Sequence, residues 1–401
     1  MPNLPDGLKN IKIAVGHDDL TVPYAGGEKV FMAIAEAFPK ADIFTSMITP
    51  EWASKISNLN KDGTRSEIAT PASRDNVSYQ RKIITTFMQS FPLKRKLQKP
   101  LFALYPLAFE SLDLSDYNLV VSSSSRFAHG VITRPETKHI CYMHSPGRMF
   151  WEPDFYFGPD SRLKTILTPI LSYLRLWDHT AAQRVDQLIA NSKNVAGKIR
   201  SYYGRDATVV YPFVDLERFK PGVGSHESGV EKYYLVVTRL ASWKRVDIAV
   251  AAANAVGAKL KVVGIGPDIK RLQKLAQVKG KKSDIEILGG EPDEKVTELF
   301  QNCVALIMTQ EEDFGITSLE AQACGKPVIA YGRGGALETV VPGKTGEFFK
   351  EQTVDSLVEA LKRFDPSKYR PEDCRKNAES FSKTRFQKEL VEIASRAVGV
   401  E

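Results

Sequence analysis

The chain has 401 residues, 43% hydrophobic and 26% charged, with a net charge of +7; this is length enough for two or three domains with sizeable cores. No apolar run approaches the ~18 residues of a membrane span, which excludes a helical integral membrane protein, and no compact basic block is interleaved with aromatics as a nucleic-acid binder requires. The mild basic bias fits an anionic substrate, a membrane surface or no specific partner.

The four cysteines, Cys141, Cys303, Cys324 and Cys374, form no C-x-x-C pair, so neither a zinc site nor a disulfide framework is indicated. Three lie in or beside apolar runs and read as small core residues of a protein in a reducing compartment. The N-terminal residues Met1-Pro2-Asn3-Leu4-Pro5-Asp6 lack the basic and apolar regions of a signal peptide. The expected location is the cytoplasm or the inner face of the membrane.

In chain order, short apolar strands are predicted at residues 11–16, 42–46, 118–123, 139–143, 187–190 and 208–211. A Pro-, Gly- and Ser-rich stretch then breaks the pattern, and a second series follows at residues 233–238, 260–263, 285–288, 304–308, 327–330 and 346–349. Amphipathic helical stretches alternate with the strands. Continuous Val/Ile/Leu runs mark strands covered on both faces, hence parallel sheets with helices on each side. The expected organisation is a Rossmann-like domain over residues 1–212, a linker over 213–230, a second Rossmann-like domain over 231–382 and a terminal helix over 383–401. Phe386, Leu390, Ile393 and Ala394 share one face of that helix.

Several motifs punctuate this frame. Gly26 and Gly27 follow the first strand and open a helix, where paired glycines allow close approach by a phosphate or sugar. Residues 79–109 carry Arg81, Lys82, Lys94, Arg95, Lys96 and Lys99 with no acid among them, interleaved with Phe87, Met88, Phe91, Leu93, Leu97, Leu101, Phe102 and Leu104. Such a stretch is either a basic amphipathic face for an anionic membrane or a cationic helix pair packed on the first domain. The apolar stretch 163–176 joins either role. His144 ends an apolar strand, where a neutral imidazole can bond a sugar hydroxyl. Arg239 and Lys244 follow the first strand of the second series, at the sheet edge where open α/β folds bind ligands. A guanidinium and an ammonium there can stabilise the charge that grows on a departing diphosphate. Gly264 and Gly266 lie in a turn resembling a dinucleotide fingerprint, but Ile269 holds the place of the third glycine. An NAD-type reading fails on that pattern; a turn that lets a nucleotide base approach the backbone fits better.

The most informative stretch is Glu312-Asp313-Phe314-Gly315-Ile316-Thr317-Ser318-Leu319-Glu320, with two glutamates eight residues apart across a turn that starts a helix. A strand precedes it. Free N–H groups at a helix start make an anion site. A carboxylate before the turn can bind sugar hydroxyls and one inside the helix can bind a ribose diol, which suits a sugar nucleotide. No two aspartates stand two positions apart, so the D-x-D pair that holds a divalent metal under a diphosphate is missing and no obligatory metal is expected.

Taken together, Glu312 and Glu320, the Gly26-Gly27 loop, His144 with Pro146, the Ile189-Ala190-Asn191-Ser192 run, Tyr211-Pro212 with Asp215, and Arg239 with Lys244 resemble the retaining family 4 glycosyltransferases of the GT-B fold. The likeness covers nearly the whole chain and is closest to the bacterial mannosyltransferase-like branch that builds cell-surface polysaccharides. It implies two Rossmann-like domains facing across a cleft that holds the donor, and a C-terminal helix crossing back to the first domain. It implies that Glu312 contacts the transferred sugar, that Phe314, Gly315 and Ile316 offer backbone N–H groups, and that Glu320 holds the ribose. Arg239 and Lys244 hold the phosphates and His144 faces the reaction. The implied reaction moves a hexose, first of all mannose from GDP-mannose, to a lipid-linked or polysaccharide acceptor. A UDP-sugar donor is the alternative within the fold, and a non-catalytic nucleotide-sugar-binding subunit is the alternative outside enzymes.

Overall fold

The computed structural model describes residues 4–21, 26–59, 81–91, 101–158, 161–222, 232–277 and 284–400. They form two bodies, each built on a parallel sheet. The first comprises Met1–Asn191, Val195–Tyr211 and Thr384–Glu401; the second comprises Ser192–Asn194 and Pro212–Lys383.

In the first body, β1 (Ile13–His17), β2 (Asp42–Thr45), β3 (Ile83–Thr85), β4 (Leu119–Ser124), β5 (Lys138–Met143), β6 (Gln187–Ala190) and β7 (Thr208–Val209) lie in the order β3-β2-β1-β4-β5-β6-β7. Every residue of β1 and β4 is buried, as expected of central strands with helices on both faces. In the second body, β8 (Tyr234–Val237), β9 (Leu260–Val263), β10 (Ile285–Gly289), β11 (Ala305–Met308), β12 (Val328–Tyr331) and β13 (Gly346–Phe349) lie in the order β10-β9-β8-β11-β12-β13. The winding of each sheet reverses at its centre, between β1 and β4 in one and between β8 and β11 in the other. At such a switch point the connections leave on opposite faces, and a crevice opens outside the carboxyl ends of the strands.

The expected strands are all present; β3 is an addition. Residues 79–109 read as a basic amphipathic face or a cationic helix pair, yet Ile83-Ile84-Thr85 pairs with β2 as an edge strand. β-branched residues side by side favour the extended backbone. Of the apolar residues nearby, Met88 is buried and Phe91, Leu101 and Phe102 pack on the same core cluster, while Phe87 and Leu107 are exposed. Lys94, Arg95, Lys96 and Lys99 lie outside the described residues.

Two residues of the stretch expected as linker are anchored in the second body. Val214 and Phe219 are buried in the second body. Val214 donates its N–H to the Phe381 carbonyl at 3.0 Å, and Arg375 Nη1 donates to the Phe219 carbonyl at 2.7 Å. Residues 223–230 lie outside the described part.

The helix Lys383–Ala397 buries Phe386, Leu390, Ile393 and Ala394. Within the first body Phe386 meets Tyr142 edge to face at 5.4 Å, Gln387 Nε2 donates to the Ala33 carbonyl at 3.0 Å, and Arg385 Nη2 donates to the Tyr211 carbonyl at 2.6 Å. No helix among the described residues is long and apolar enough to cross a membrane.

Phe386 is wholly enclosed, so Phe386→Ala is expected to cost about 3–5 kcal/mol. Thermal unfolding followed by circular dichroism should show a midpoint lower by roughly 6 °C or more. An unchanged midpoint would mean that this helix does not pack as described.

Candidate active site

Both switch points carry polar side chains. In the second body, β8 runs out into Thr238 and Arg239, and a 3-10 turn, Ser242–Lys244, follows. Arg239 is exposed. Lys244 is held inward: its Nζ lies 2.6 Å from Glu312 Oε1, an ion pair mostly shielded from solvent. Gln310 Nε2 donates to the same Oε1 at 2.8 Å, and Thr309 Oγ1 donates to the Lys244 carbonyl at 3.0 Å. Two donors on one oxygen fix the carboxylate, and charge-assisted bonds of this length are the strong ones. Arg245, next in sequence, takes a left-handed conformation with φ 49°, unique among the described non-glycine residues. This strained residue directly follows Lys244 at the end of the 3-10 turn, and strain of this kind clusters at ligand sites.

The turn between Glu312 and Glu320 is built as the sequence suggests. Gly315, with φ 90°, opens the helix Ile316–Ala323, and Phe314 is buried against Phe381 at 5.8 Å. Ile316 is the first helical residue and Glu320, half-buried, the fifth. Gly264 and Gly266 press on the Thr238–Leu240 backbone. A Cβ on Gly264 would stand 1.8 Å from the Thr238 carbonyl oxygen, and one on Gly266 2.0 Å from that of Leu240. These glycines are required by chain packing next to Arg239, and the exposed Ile265 between them faces outward.

A support that the sequence reading missed braces Glu312. The Gly332-Arg333-Gly334-Gly335 turn after β12 bridges Glu312 through Gly334, and Gly335 donates its N–H to the Glu312 carbonyl at 2.8 Å. A Cβ on Gly335 would stand 2.3 Å from Phe314 Cα. The only available signal was a glycine pair after a strand, which many turns share.

In the first body, His17 was missed and stands at the centre. It is the last residue of β1, is buried, and stacks on Phe31 at 5.2 Å. Gly27 lies beside it, since a Cβ there would be 3.9 Å from the His17 ring; Gly26 and Gly27 open the helix Gly26–Ala37. His144 follows β5, half-buried, with its ring perpendicular to that of His17 at 6.2 Å. The Ser123 hydroxyl links the two imidazoles, 3.1 Å from His17 Nδ1 and 2.8 Å from His144 Nε2. His17 Nδ1 is also 3.0 Å from the Ser123 carbonyl. A carbonyl only accepts, so that nitrogen carries a proton. The Ser123 hydroxyl, able both to donate and to accept, can therefore bond both rings at once.

The pattern extends along β4. Ser122 meets His139 Nε2 at 2.8 Å, and Ser124 meets His129 Nδ1 at 3.1 Å. Burial pushes the His139 imidazole down to about 3, so it stays neutral. His129 Nε2 lies 3.2 Å from Asp178 Oδ1, and Asp178 Oδ2 accepts from Trp151 Nε1 and the Tyr203 hydroxyl, each at 2.6 Å. The run of serines carries no periodic signal for these partners.

Asp18, just beyond β1, accepts from the N–H groups of Ser125, Phe127 and Ala128 at 2.7–2.9 Å. Burial by itself would raise its pKa; the nearby Arg126 and His17 charges and the amides outweigh it and hold the carboxyl below the usual range. A depressed carboxylate stabilises the fold above its unfolded pKa of about 3.9 and loses that contribution as pH falls through the folded value. Asp18→Asn is therefore expected to cost about 1–3 kcal/mol at neutral pH. The gap between variant and parent in urea unfolding should close in acid below that range. A gap of constant size down to acid pH would show that the charge is not its source.

Two family models match the chain in succession. Glycosyltransferase Family 4 covers residues 24–218 and Glycosyl transferases group 1 covers residues 224–381. The D-inositol 3-phosphate glycosyltransferase of Rhodococcus erythropolis is 28% identical over 218 residues, 48% of this chain and 49% of that protein. The chain spans about half the length of the curated relatives it matches. Sucrose-phosphate synthase from Thermosynechococcus elongatus superposes with a TM-score of 0.71 at 17% identity, over 96% of this chain and 99% of that one. Anabaena HepE, solved in complex with UDP and glucose, superposes with a TM-score of 0.66 at 17% identity, over 96% and 100%. At such identities the likeness to solved structures establishes the fold. With one family model on each half, in the order in which its two parallel-sheet bodies occur, the chain belongs to the GT-B glycosyltransferases of the family 4 and group 1 type.

Proposed function

We propose that this protein transfers a hexose from a nucleoside diphosphate donor to a lipid-linked or polysaccharide acceptor, with retention at the anomeric carbon. The observation that carries the reading is the Lys244–Glu312 pair, 2.6 Å apart at the carboxyl ends of β8 and β11. An ammonium on a carboxylate at a switch point can offer cationic protons to phosphate and an anionic oxygen to sugar hydroxyls.

As the bond between the anomeric carbon and the phosphate oxygen breaks, the leaving diphosphate gains negative charge. Arg239, Lys244 and the N–H groups at Gly315 and Ile316 are assigned to that charge, which is greatest in the transition state. Glu312 is assigned to the sugar hydroxyls and Glu320 to the ribose diol. The Gly264-Ile265-Gly266 turn is assigned to the nucleobase. In the first body His144 is assigned to a hexose hydroxyl. The leaving phosphate takes the proton of the attacking acceptor hydroxyl on the same face of the sugar, so no covalent sugar–protein intermediate forms. With side chains supplying the positive charge, chelation should leave turnover intact.

The family resemblance favours mannose from GDP-mannose. A uridine donor is the second reading, favoured by the likeness to a HepE structure that holds UDP and glucose. Melting-temperature titration with GDP, UDP and NAD separates these donors from one another and from an oxidoreductase, because excess of a tight ligand adds a few kcal/mol of stability, about 2.7 at one hundred times Kd.

Lys244→Ala should weaken nucleoside diphosphate binding and turnover together; undiminished donor affinity would remove the phosphate role. Glu312→Gln should bind nucleotide nearly as the parent does but turn over about 10²-fold more slowly, the scale of one lost transition-state contact. Full activity in that variant, or a sugar trapped covalently on any side chain, would overturn the mechanism. A parent that binds donor tightly yet transfers nothing to any acceptor would point to a non-catalytic binding subunit.

A further inference from the structure

The main chain and the ring of His144 are held by different groups. Its N–H donates to the Ser124 carbonyl at 2.8 Å, and its carbonyl accepts from Asn191 Nδ2 at 2.9 Å. Those bonds pin the backbone where β5 ends, but they do not set the side-chain torsions of the imidazole. The ring is oriented by Ser123, whose Oγ lies 2.8 Å from Nε2, and by Tyr142, whose ring meets it edge to face at 5.3 Å.

Strand register puts the serine there. Ser123 of β4 stands opposite His17 of β1 on one side and Tyr142 of β5 on the other, so the three side chains share one face of the sheet. A hydroxyl turns easily about its C–O bond, and a serine by itself orients a partner weakly. A second imidazole on the same oxygen restricts that rotation, and His17 Nδ1 supplies it at 3.1 Å. His17 is fixed in turn: it is buried, its Nδ1 lies 3.0 Å from the Ser123 carbonyl, and its ring stacks on Phe31 at 5.2 Å. One partner would offset the burial of a serine hydroxyl; this one has two. The neighbouring pairs, Ser122 with His139 and Ser124 with His129, join buried rings. Ser123 reaches a ring that is half-buried at the carboxyl edge of the sheet.

We propose that Ser123 and His17 are positioning residues for His144, the serine holding Nε2 and His17 holding the serine. Both are buried, so they act through the ring of His144 rather than on a ligand. A ring whose orientation is already set loses less freedom when it binds. The inference rests on the reading of His144 as a hexose contact and adds the two groups that aim it.

The test uses the full chain labelled with the heavy nitrogen isotope at histidine, the His144 imidazole signals being those lost in His144→Gln. In Ser123→Ala the Nε2 signal of His144 should move. Whichever of GDP and UDP stabilises the parent is then titrated by calorimetry beside its hexose derivative, GDP-mannose or UDP-glucose. Ser123→Ala should bind the nucleoside diphosphate as the parent does and the nucleotide sugar about three- to tenfold more weakly, the scale of one hydrogen bond. His17→Phe should lose affinity in the same selective way. The double variant should be about as weak as Ser123→Ala alone, because both residues act through one ring. Melting temperatures identify a variant that fails to fold, and the other single variant then carries the test. An unmoved His144 signal in Ser123→Ala, equal losses for nucleotide and nucleotide sugar, or additive losses in the double variant would each overturn the proposal while leaving the hexose contact standing. A parent whose His144 signals ignore both nucleotide sugars would overturn that contact, and this inference with it.

Discussion

A parallel sheet whose winding reverses at its centre leaves two adjacent strand ends whose connections depart on opposite faces, and the chain's polar side chains collect there. Strands covered on both sides must be apolar along their length, so hydrogen-bonding groups are affordable only where the strand stops. In the first body the transition falls at His17 and Ser122–Ser124; in the second it falls at Thr238 and at Thr309–Glu312. The same geometry that forbids polar groups in the sheet concentrates them at its carboxyl edge.

The two edges solve the burial problem differently. In the second body, charge answers charge: Lys244 and Glu312 hold each other, Gln310 fixes the carboxylate, and Gly334-Gly335 sets the backbone from which Glu312 projects. Removing one member of such a shielded pair leaves the other uncompensated. In the first body hydroxyls and backbone amides do more of the work. Serine hydroxyls on β4 each take an imidazole, and Asp18 is satisfied by backbone amides as much as by cations. Hydroxyl–imidazole bonds order these side chains along the strand edge.

The positions of the strands along the chain, the two parallel-sheet domains and the covered character of both sheets were legible from continuous Val/Ile/Leu runs broken by turns, because periodicity and apolarity are local properties of the chain. So was the helix start at Gly315 and Ile316, since a glycine after a strand announces it. The edge strand Ile83–Thr85 was hidden within a longer basic and apolar stretch, where a three-residue β-branched run carries too little signal. His17, Ser123, Gln310 and the Gly334-Gly335 brace could not be read from spacing, because their partners are 2 to 106 residues away and meet only when strands align. The amino-acid sequence alone thus determined which segments become strands and helices and which residue types stand at their ends. Tertiary structure decided which of those residues face one another, since register and strand order, set by the burial of whole sheets, bring distant side chains within hydrogen-bond reach.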